Sequence, residues 1–570
     1  MDERQEGSKA ERQKGKAGRD DDRPHIPVAA FLPALPPFCL PALPCSLAAF
    51  LPSCPPLLPC CLPAFLPSFS HIAYIKGTSS ASPVSAIAEG AGRPEPAKAV
   101  LVLGGPDDQS NAPKSSSPTR PPSNAVLVVG GGIAGISVAL NLAEYGAPVY
   151  LVDDTPSIGG LMARLDKTFP TNDCSICIQA PMMYEVKKKQ NITLLTNTEV
   201  RRVEGSAPDF KVRLVQKPRF VDESKCKGCG KCAEACPVTV QDELDGRIGG
   251  KRKLVSIPFP QAVPNTYVVD NACRFGKKRA DGACIGSCVV DCSQCRECQI
   301  AKCVVACRKE GAEAVLLWQK ERIIDVRVRS IVIATGVDSY RPPEGPYGYG
   351  VFQNVLTNYQ FERLMNAGGP MVGNIARPSD GKHPHRIAWI QCVGREAGAP
   401  VKYCSKVCCM IATKQSIIAK EHDPSVDAVI LYNNLKAYGK GFYTFFRRAQ
   451  EHGVRYVKGR PADVFENPET KALTIVFEDL DKGKVEELEV DILVLSTGLV
   501  PGTRTAKIAK ALKLPLDEHG FIKEKDPICK PLETAVKGIY VCGGAGGPID
   551  ISESVSQAAA VSLKAISGGD

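Results

Sequence analysis

The chain is 570 residues long, which allows about three or four domains, and its apolar content of 44% is that of an ordinary globular protein without an apolar run long enough to span a membrane. Its 25 cysteines cluster in C-x-x-C groups, which excludes a secreted disulfide scaffold and predicts metal centres in a reducing compartment, the cytoplasm. The net charge of +10 does not indicate nucleic-acid binding, because roughly three oxidised 4Fe-4S sites at about −2 each would cancel much of it.

Residues 1–122 are predicted to form a disordered extension and linker. Residues 1–25 carry mixed charge, and residues 26–70 repeat short stretches of Leu, Pro, Ala, Phe and Cys with proline every few positions, which forbids a continuous helix or a normal signal peptide. Residues 78–123 are rich in Ser, Pro and Gly. We expect the folded protein to begin near Asn124, and an intact-mass measurement on native protein would test whether residues 1–122 belong to it.

A dinucleotide-binding unit is predicted at Ala125–Gly135. An apolar run of strand length leads directly into G-x-G-x-x-G, with glycines at Gly130, Gly132 and Gly135, and apolar residues then recur at helical spacing. The first glycine permits the tight turn, the second lets the backbone approach a pyrophosphate, and the third lets the helix pack on the strand. A second apolar run ends at Asp153, at about the 20-residue distance expected for an acid that bonds a ribose hydroxyl. A purely structural turn would not account for that acid.

The next segment adds candidate cofactor contacts and an unassigned cysteine pair. Ser157-Ile-Gly-Gly160 brings Gly159 and Gly160 next to the predicted nucleotide site. Cys174 and Cys177 follow in Asp-Cys-Ser-Ile-Cys. The pair is compatible with a redox dithiol, with ligands to a cluster, and with two cysteines that line a flavin pocket, and the sequence leaves these alternatives open.

A ferredoxin signature then interrupts this domain. The pattern C-x2-C-x2-C-x3-C-P is formed by Cys226, Cys229, Cys232, Cys236 and Pro237. Three cysteines in one tight loop wrap one cubane cluster, and the fourth either closes it or ligates a second cluster. Structural zinc is a much weaker explanation of this spacing.

A second cysteine group follows, and its members are Cys273, Cys284, Cys288, Cys292, Cys295, Cys298, Cys303 and Cys307. Eight thiols can serve two clusters, or one cluster with thiols to spare. One set has spacings of two, four and three residues, which can fold round one cube. Its members are Cys295, Cys298, Cys303 and Cys307. In a two-cluster ferredoxin fold, Cys236 and Cys307 would exchange partners.

The flavoprotein pattern resumes after these cysteines, so the ferredoxin-like module is predicted to be an insertion in the flavin domain. Ile331–Gly336 reads as a strand that ends in Ala-Thr-Gly, a turn common where such proteins return to the flavin domain, and Thr335 and Gly336 are candidate cofactor contacts. A later strand ends at Gly543 and Gly544, which are also candidates. Related flavoproteins usually have Gly-Asp there, with the acid holding the ribityl chain, so that contact must come from elsewhere.

The second Rossmann-like unit lacks the signature of a nicotinamide site. Its first strand, Arg386–Cys392, should lead into G-x-G-x-x-G but continues as Val-Gly-Arg-Glu, which gives a pyrophosphate no obvious cradle. Four cysteines occupy this place, and they are Cys392, Cys404, Cys408 and Cys409. They predict a third cluster in the former nucleotide site. The alternative is buried structural thiols in a vestigial domain.

These segments predict an α/β protein with two dinucleotide-binding domains and an inserted iron–sulfur module. The predicted order is the extension (1–122), the FAD-binding domain (123–216), the ferredoxin-like insertion (217–320), the FAD-binding domain continued (321–384), the second Rossmann-like domain (385–490) and the final part of the FAD-binding domain (491–570). The expected cofactors are FAD and two or three 4Fe-4S clusters.

Nine short motifs occur in one order along residues 124 to 565. They are V-V-G-G-G-I-A-G-I, S-I-G-G-x-M, D-C-S-x-C, V-D-E-S-K-C-x-G-C, I-P-F-P-Q-A-V-P-N, R-P-S-D-G-K, I-Q-C-V-G, Y-C-S-x-V-C-C-M and G-P-x-D-I-x-E-S-V-x-Q-A. In these motifs the chain resembles the iron–sulfur flavoprotein subunit of heterodisulfide reductase, which occurs in methanogens and several anaerobic bacteria. The resemblance implies a thioredoxin-reductase-like fold, FAD, and clusters on the first four ferredoxin cysteines and on the four cysteines of the second Rossmann-like unit. Longer family members also carry an N-terminal domain with its own cysteines and a C-terminal two-cluster ferredoxin domain, which this sequence does not match.

The resemblance further implies an electron-transfer subunit of a cytoplasmic heterodisulfide-reductase-like complex. Its implied partners are the other subunits, ferredoxin and a hydrogenase- or dehydrogenase-type electron donor, with a homodimer inside the larger complex. Flavin-based electron bifurcation between ferredoxin and a disulfide acceptor is the implied mode of action. The disulfide chemistry itself would lie on another subunit.

Three alternatives are weighed against this function. The flavoprotein subunit of a quinone-interacting membrane-bound oxidoreductase complex shares these motifs but passes electrons towards quinone through membrane partners. A self-contained NAD(P)H-dependent disulfide reductase is disfavoured by the missing second glycine fingerprint. A scaffold subunit with an inert flavin predicts a flavin that no cluster donor reduces.

Overall fold

The computed structural model describes residues 124–242, 245–271, 273, 301–395 and 398–567. The predictions for the extension (1–122) and for Cys295 and Cys298 lie outside these residues. In the described part, no helix has both the length and the apolar composition that a membrane crossing requires.

Strands and helices alternate along most of the described chain. The strands are β1 (Val126–Val129), β2 (Val149–Val152), β3 (Ile192–Leu195), β4 (Thr198–Ser206), β5 (Asp209–Gln216), β6 (Thr239–Gln241), β7 (Lys251–Lys253), β8 (Val255–Ser256), β9 (Val268–Val269), β10 (Arg322–Val328), β11 (Ser330–Ile333), β12 (Val337–Ser339), β13 (Val355–Thr357), β14 (Arg386–Val393), β15 (Asp427–Tyr432), β16 (Arg455–Glu466), β17 (Leu473–Asp479), β18 (Lys484–Val490), β19 (Ile492–Thr497), β20 (Leu499–Pro501), β21 (Glu524–Asp526), β22 (Lys530–Thr534) and β23 (Ile539–Val541). The α-helices are α1 (Ile133–Glu144), α2 (Ser175–Lys188), α3 (Lys231–Glu234), α4 (Lys302–Lys309), α5 (Asn358–Met365), α6 (Cys408–His422), α7 (Phe442–Glu451), α8 (Thr503–Leu512) and α9 (Ile551–Ser567).

The first sheet has the strand order β21-β22-β23-β11-β1-β2-β3, in which β23, β11, β1, β2 and β3 run parallel. Successive residues of β1 face opposite layers, as the pleat requires. Val126 and Val128 pack with α1 and α9 in one core, and Leu127 and Val129 pack with β5 and α8 in the other. Both faces of the sheet are therefore covered, which is why this strand is an unbroken apolar run.

A separate module is inserted between β5 and β10. β5 ends at Gln216 and β10 begins at Arg322, and these two residues face each other in an antiparallel ladder. The chain therefore leaves the first domain and returns to it at the same place. The module contains α3, α4 and two small hairpin-like sheets, β6-β7 and β8-β9, around a core to which several cysteines contribute.

The second sheet has the order β13-β19-β14-β15-β16-β17-β18, with α5, α6 and α7 on one face. It extends beyond the predicted limits 385–490, because β13 and β19 pair with each other and β19 pairs with β14. The predicted ranges 321–384 and 491–570 had placed these two strands in the FAD-binding domain, and the structure corrects this. Residues 331–336 and 492–498 are both apolar runs that end in Thr-Gly, so composition alone does not tell which parallel sheet each run joins.

A buried ion pair connects the second sheet's helices to a loop of the first domain. Lys414 on α6 donates to Glu362 on α5, and both side chains are 2% exposed. Glu362 also accepts hydrogen bonds of 2.9 Å from the Asp166 backbone N–H and from Gln415 Nε2. Lys414 Nζ donates in addition to Lys167 O at 2.8 Å. The pair is therefore fully hydrogen-bonded, and it holds the 166–167 loop against the second domain.

Replacing Glu362 with glutamine would leave the Lys414 ammonium buried without its counter-charge. We expect a loss of about 3–5 kcal/mol in the free energy of unfolding, measured by urea denaturation. The double variant Glu362→Gln/Lys414→Met should lose less than the sum of the two single variants, because it leaves no charge behind. Glu486→Gln, in an exposed pair with Lys482, is the control, with an expected change of about 0.5 kcal/mol or less. Equal losses in the two glutamine variants would contradict the prediction.

Candidate flavin and iron–sulfur sites

The glycine turn after β1 is fixed by close backbone contacts. A Cβ at Gly130, whose φ is +111°, would lie 2.2 Å from Ala334 O, and a Cβ at Gly135 would lie 1.8 Å from Gly130 O. Gly132 differs, since the nearest atom to a Cβ there would be Gly160 Cα at 4.0 Å. Gly132 is also the N-cap of α1, where the first N–H groups of a helix lack intrahelical acceptors and can meet a phosphate. The open space at Gly132 is thus the place where the turn can receive a ligand.

The turn faces a cavity of about 320 Å³ at the carboxyl ends of β1, β2 and β11. The predicted cofactor contacts that line it are Gly130, Gly132, Asp153, Gly160, Thr335, Gly336 and Gly544. The other predicted contacts, Gly135, Gly159 and Gly543, are not among its lining residues. They serve packing instead, because a Cβ at any of these positions would collide with protein atoms behind the cavity wall.

Asp153 stands directly after β2 and already holds the turn together. Its Oδ2 accepts from Gly131 N at 2.6 Å, and its Oδ1 accepts from Thr155 N at 2.8 Å and from Thr155 Oγ1 at 2.5 Å. A carboxylate offers about four lone-pair positions, so one position on Oδ2 remains. Asp153 can therefore brace the glycine turn and still accept a ribose hydroxyl from the cavity that it lines.

Sequence reasoning missed a second acid at this cavity, Asp550, which immediately precedes α9. Asp550 Oδ1 accepts from Glu553 N at 2.8 Å, and Asp550 N donates to Glu553 Oε2 at 3.2 Å, which forms a capping box at the start of the helix. Burial raises the pKa of the Asp550 carboxyl. Asp550 lines the cavity and supplies an acid on the wall where Gly-Asp is absent after β23. The capping-box spacing Asp-x-x-Glu before an apolar helix was the available signal.

Two cations from α8 complete the wall. Arg504 and Lys507 both line the cavity, and Arg504 Nε lies 2.9 Å from Asp154 Oδ2. Burial raises the pKa of Asp154, and the Arg504 charge opposes that rise. Cationic side chains together with the N-terminus of α1 suit an anionic pyrophosphate. The residues present therefore fit a dinucleotide such as FAD.

The inserted module brings four cysteines to one small cavity. Cys226, Cys229, Cys232 and Cys307 line it, together with Tyr267. Burial, and next the neighbouring Cys226 and Cys307, raise the pKa of the Cys232 thiol to about 12. Cys307 Sγ accepts a hydrogen bond from Ala314 N at 3.2 Å.

Cys236, the fourth cysteine of the ferredoxin motif, does not line this cavity. Its Sγ lies 3.7 Å from Val238 O, in the core that it shares with Cys303. The structure thus places Cys307, rather than Cys236, beside the first three cysteines. This is the exchange expected of a two-cluster ferredoxin fold, and it departs from the sets of consecutive cysteines predicted for single clusters.

A cubane cluster and a single metal ion require different ligand arrangements. Among the described residues, no group of three or more His, Cys, Asp or Glu side chains is arranged to hold a single metal ion. A 4Fe-4S cluster instead needs four thiolates spread round a cube, one at each iron. Four thiols around a common cavity meet that requirement.

The cysteines of the second domain gather where β14 meets α6. Cys392 ends the regular part of β14 with a φ of +65°, and Cys408 and Cys409 begin α6. Burial raises the pKa of the Cys392 thiol, and Cys409 and Cys404 add to this rise. A hydrogen bond between Cys408 and Cys409 raises the pKa of Cys408 and lowers that of Cys409 to about 7. Each of the four thiols therefore lies within electrostatic reach of the others, and the set fits a cluster.

The structure places Cys174 and Cys177 apart from both kinds of site. They form a disulfide at the start of α2, and neither lines the flavin cavity.

Models of known protein families match three segments. Residues 125–216 match the FAD dependent oxidoreductase family, residues 219–240 match the 4Fe-4S binding domain, and residues 431–560 match the pyridine nucleotide-disulphide oxidoreductase family. An FAD-binding domain and an iron–sulfur domain are therefore present in this chain.

Several curated proteins are similar over most of the chain. The iron-sulfur flavoprotein subunit of the CoB–CoM heterodisulfide reductase of Methanocaldococcus jannaschii is 44% identical over 435 residues, which are 76% of this chain and 62% of that protein. The equivalent subunit of the H(2):CoB-CoM heterodisulfide,ferredoxin reductase of Methanothermobacter marburgensis is 41% identical over 77% of this chain and 63% of its own length. The chain thus spans somewhat less than two thirds of these relatives.

Solved structures give a more distant likeness. Thioredoxin reductase from T. acidophilum superposes with a TM-score of 0.40 at 13% identity, and the match covers 78% of this chain and 99% of that one.

Proposed function

Because the chain belongs to the family of heterodisulfide reductase iron–sulfur flavoprotein subunits, we propose that it is the FAD- and 4Fe-4S-dependent electron-transfer subunit of a heterodisulfide-reductase-like complex. It passes electrons between a donor, ferredoxin and a disulfide acceptor on partner subunits. The observation that carries this proposal is the presence of a dinucleotide cavity and two separate cysteine groups in one compact unit, residues 112–570.

The chain's own residues bind, orient and tune the cofactors. FAD accepts electrons in pairs and can release them singly, which matches the one-electron capacity of an iron–sulfur cluster. Gly132 leaves room for the pyrophosphate, and Asp153 accepts the ribose hydroxyl. N–H groups that bond to sulfur, from Ala314 to Cys307 and from Lys406 to Cys404, adjust the cluster potentials.

The finer assignments follow the names of the relatives. Those names include a heterodisulfide, ferredoxin and H(2). We assign as partners the other heterodisulfide-reductase-like subunits, ferredoxin and a hydrogenase- or dehydrogenase-type donor, with the chain as a cytoplasmic homodimer inside the complex. Flavin-based bifurcation, in which an electron pair is divided between ferredoxin and the disulfide, is the assigned mode.

The choice of electron donor tests this function. The full chain, reconstituted anaerobically with FAD and iron–sulfur clusters, is mixed with reduced ferredoxin or with NADH or NADPH, and the flavin absorbance is followed. We expect reduced ferredoxin to reduce the flavin and the nicotinamides to leave it oxidised. Fast NAD(P)H oxidation by the chain alone would instead establish a self-contained reductase, and a flavin that reduced ferredoxin cannot reduce would establish an inert scaffold.

The ligand sets in the module make a separate prediction. Cys229→Ser and Cys307→Ser should each remove about four irons and abolish the same electron paramagnetic resonance signal of the reduced protein, because both thiolates hold one cubane. Cys236→Ser should leave that signal in place and affect another. Cys529→Ser, at an exposed cysteine distant in sequence from the module, is the control. Loss of one common signal in the Cys229→Ser and Cys236→Ser variants, with Cys307→Ser unaffected, would contradict the exchange.

A further inference from the structure

The disulfide at the start of α2 is not used by the flavin cavity or by the grouped cysteines. It joins Cys174 and Cys177 within one helical turn, and Cys177 is exposed while Cys174 is half-buried. A bridge between residues three apart closes a very short loop and removes little entropy from the unfolded chain, so its value for stability is small. An exposed bridge of this kind is better suited to opening and closing.

We propose that Cys174 and Cys177 are a redox-active pair that exchanges electrons with dithiols and disulfides at the protein surface. This activity is additional to electron transfer through the flavin and the clusters.

The two sulfurs occupy different positions on the helix. Cys174 is the N-cap of α2, and its Sγ accepts a hydrogen bond from Cys177 N at 3.3 Å. A thiolate at a helix N-terminus is stabilised by the helix dipole and by such N–H groups. Cys177 lies one turn into the helix and is the more accessible of the two. Cys174 is therefore the better leaving group, and Cys177 is the easier sulfur to attack.

The loop before the helix holds the pair in a fixed place. Thr168 N donates to Asp173 O at 2.8 Å, and Ser175 N donates to Asp166 O at 3.1 Å, so the loop closes on itself directly before α2. The 166–167 end of this loop is bonded to the buried Lys414–Glu362 pair.

The helix itself is anchored two residues beyond Cys177. Gln179, which is completely buried, donates from Nε2 to Gly159 O at 2.8 Å. The platform under the two sulfurs is thus rigid, while the sulfurs themselves lie at the surface.

The exchange balances with a dithiol as the only co-reactant. A thiolate of the dithiol attacks Cys177 Sγ, the S–S bond breaks, and the electron pair of that bond goes to Cys174 Sγ. The second thiol of the partner then attacks its own sulfur in the mixed disulfide and releases the Cys177 thiolate. The partner loses two electrons and becomes a disulfide, and the protons it gives up return to Cys174 and Cys177. The reverse sequence reduces an external disulfide.

A single tryptic peptide isolates the pair from the other thiols. Cleavage after Lys167 and Lys187 yields residues 168–187, which contain no other cysteine. The anaerobic, cofactor-loaded full chain is equilibrated with mixtures of reduced and oxidised dithiothreitol, alkylated, digested and analysed by mass spectrometry. We expect this peptide to change between a disulfide form and a doubly alkylated form without loss of iron. Reduced thioredoxin and reduced glutathione then serve as further probes, which distinguish a protein dithiol from a small-molecule thiol by their rates.

Single-cysteine variants identify the attacked sulfur. Cys174→Ser should trap a mixed disulfide with thioredoxin on Cys177, and Cys177→Ser should form the corresponding adduct about tenfold more slowly. The iron and flavin contents of both variants should equal those of Cys529→Ser. A peptide that stays doubly alkylated in the most oxidising mixture, or that stays bridged in the most reducing one, would overturn the proposal. Loss of iron in Cys174→Ser would also overturn it and would identify the pair as cluster ligands.

Discussion

Replacing Cys392 with alanine is expected to remove about four irons per chain, because a 4Fe-4S cluster that loses one of four thiolate ligands is not retained. Cys392 has a φ of +65°, and alanine at that position has the same backbone cost as cysteine, so the substitution tests the thiol rather than the turn. The measurement is anaerobic quantification of iron, acid-labile sulfide and flavin on the same sample. The flavin content should stay unchanged, because the cavity around Gly132 is lined by residues of other strands and helices.

The control for this variant is Cys542→Ser, at a buried cysteine whose pKa is raised to about 12 by burial alone among its larger causes. It removes a buried thiol that has no cysteine neighbours acting on it, and its iron content should match the unaltered protein. Unchanged iron in Cys392→Ala would return the four cysteines of the second domain to a structural role. It would also reopen direct NAD(P)H chemistry at that place.

Features that depend on neighbouring residues were predictable from the sequence. The turn at Gly130–Gly135 and the acid at Asp153 are set by local backbone geometry and by one strand–helix–strand unit, and the FAD-binding prediction for this segment is confirmed. The iron–sulfur domain around Cys226–Pro237 is confirmed for the same reason, since its ligand loop is contiguous. Local chemistry was therefore sufficient for both cofactor classes.

Features that depend on distant residues were not. The pleated runs at 331–336 and 492–498 look alike in sequence, but the first joins one parallel sheet and the second joins the other. The meeting of Cys307 with Cys226 across 81 residues depends on how the module folds back on itself. Asp550 reaches the cavity only because α9 packs against α1, although its capping box was legible in the sequence. Pairings at long range are decided by packing, which a single sequence does not display.

The glycine turn yields the sharpest test of the flavin site, since two of its glycines have opposite surroundings. Gly132 has ordinary extended dihedrals, φ −77° and ψ −175°, and open space where a side chain would project. We expect Gly132→Val to fold normally and to lose bound FAD by about tenfold or more, since the new side chain occupies the space that the pyrophosphate needs. Flavin content after gel filtration and the urea midpoint of the flavin-free protein are the two measurements.

Gly135→Ala should behave differently, because its Cβ would lie 1.8 Å from Gly130 O and α1 could no longer pack closely on β1. We expect this variant to lose both flavin and stability, by about 1–3 kcal/mol or more. Gly146→Asn is the control, since Gly146 has a left-handed φ that asparagine tolerates and no atom within 4 Å of a Cβ. Full flavin occupancy in Gly132→Val would remove the pyrophosphate from this turn. Because Gly135→Ala reports on the fold of the same turn, the pair separates a lost cofactor site from a lost domain.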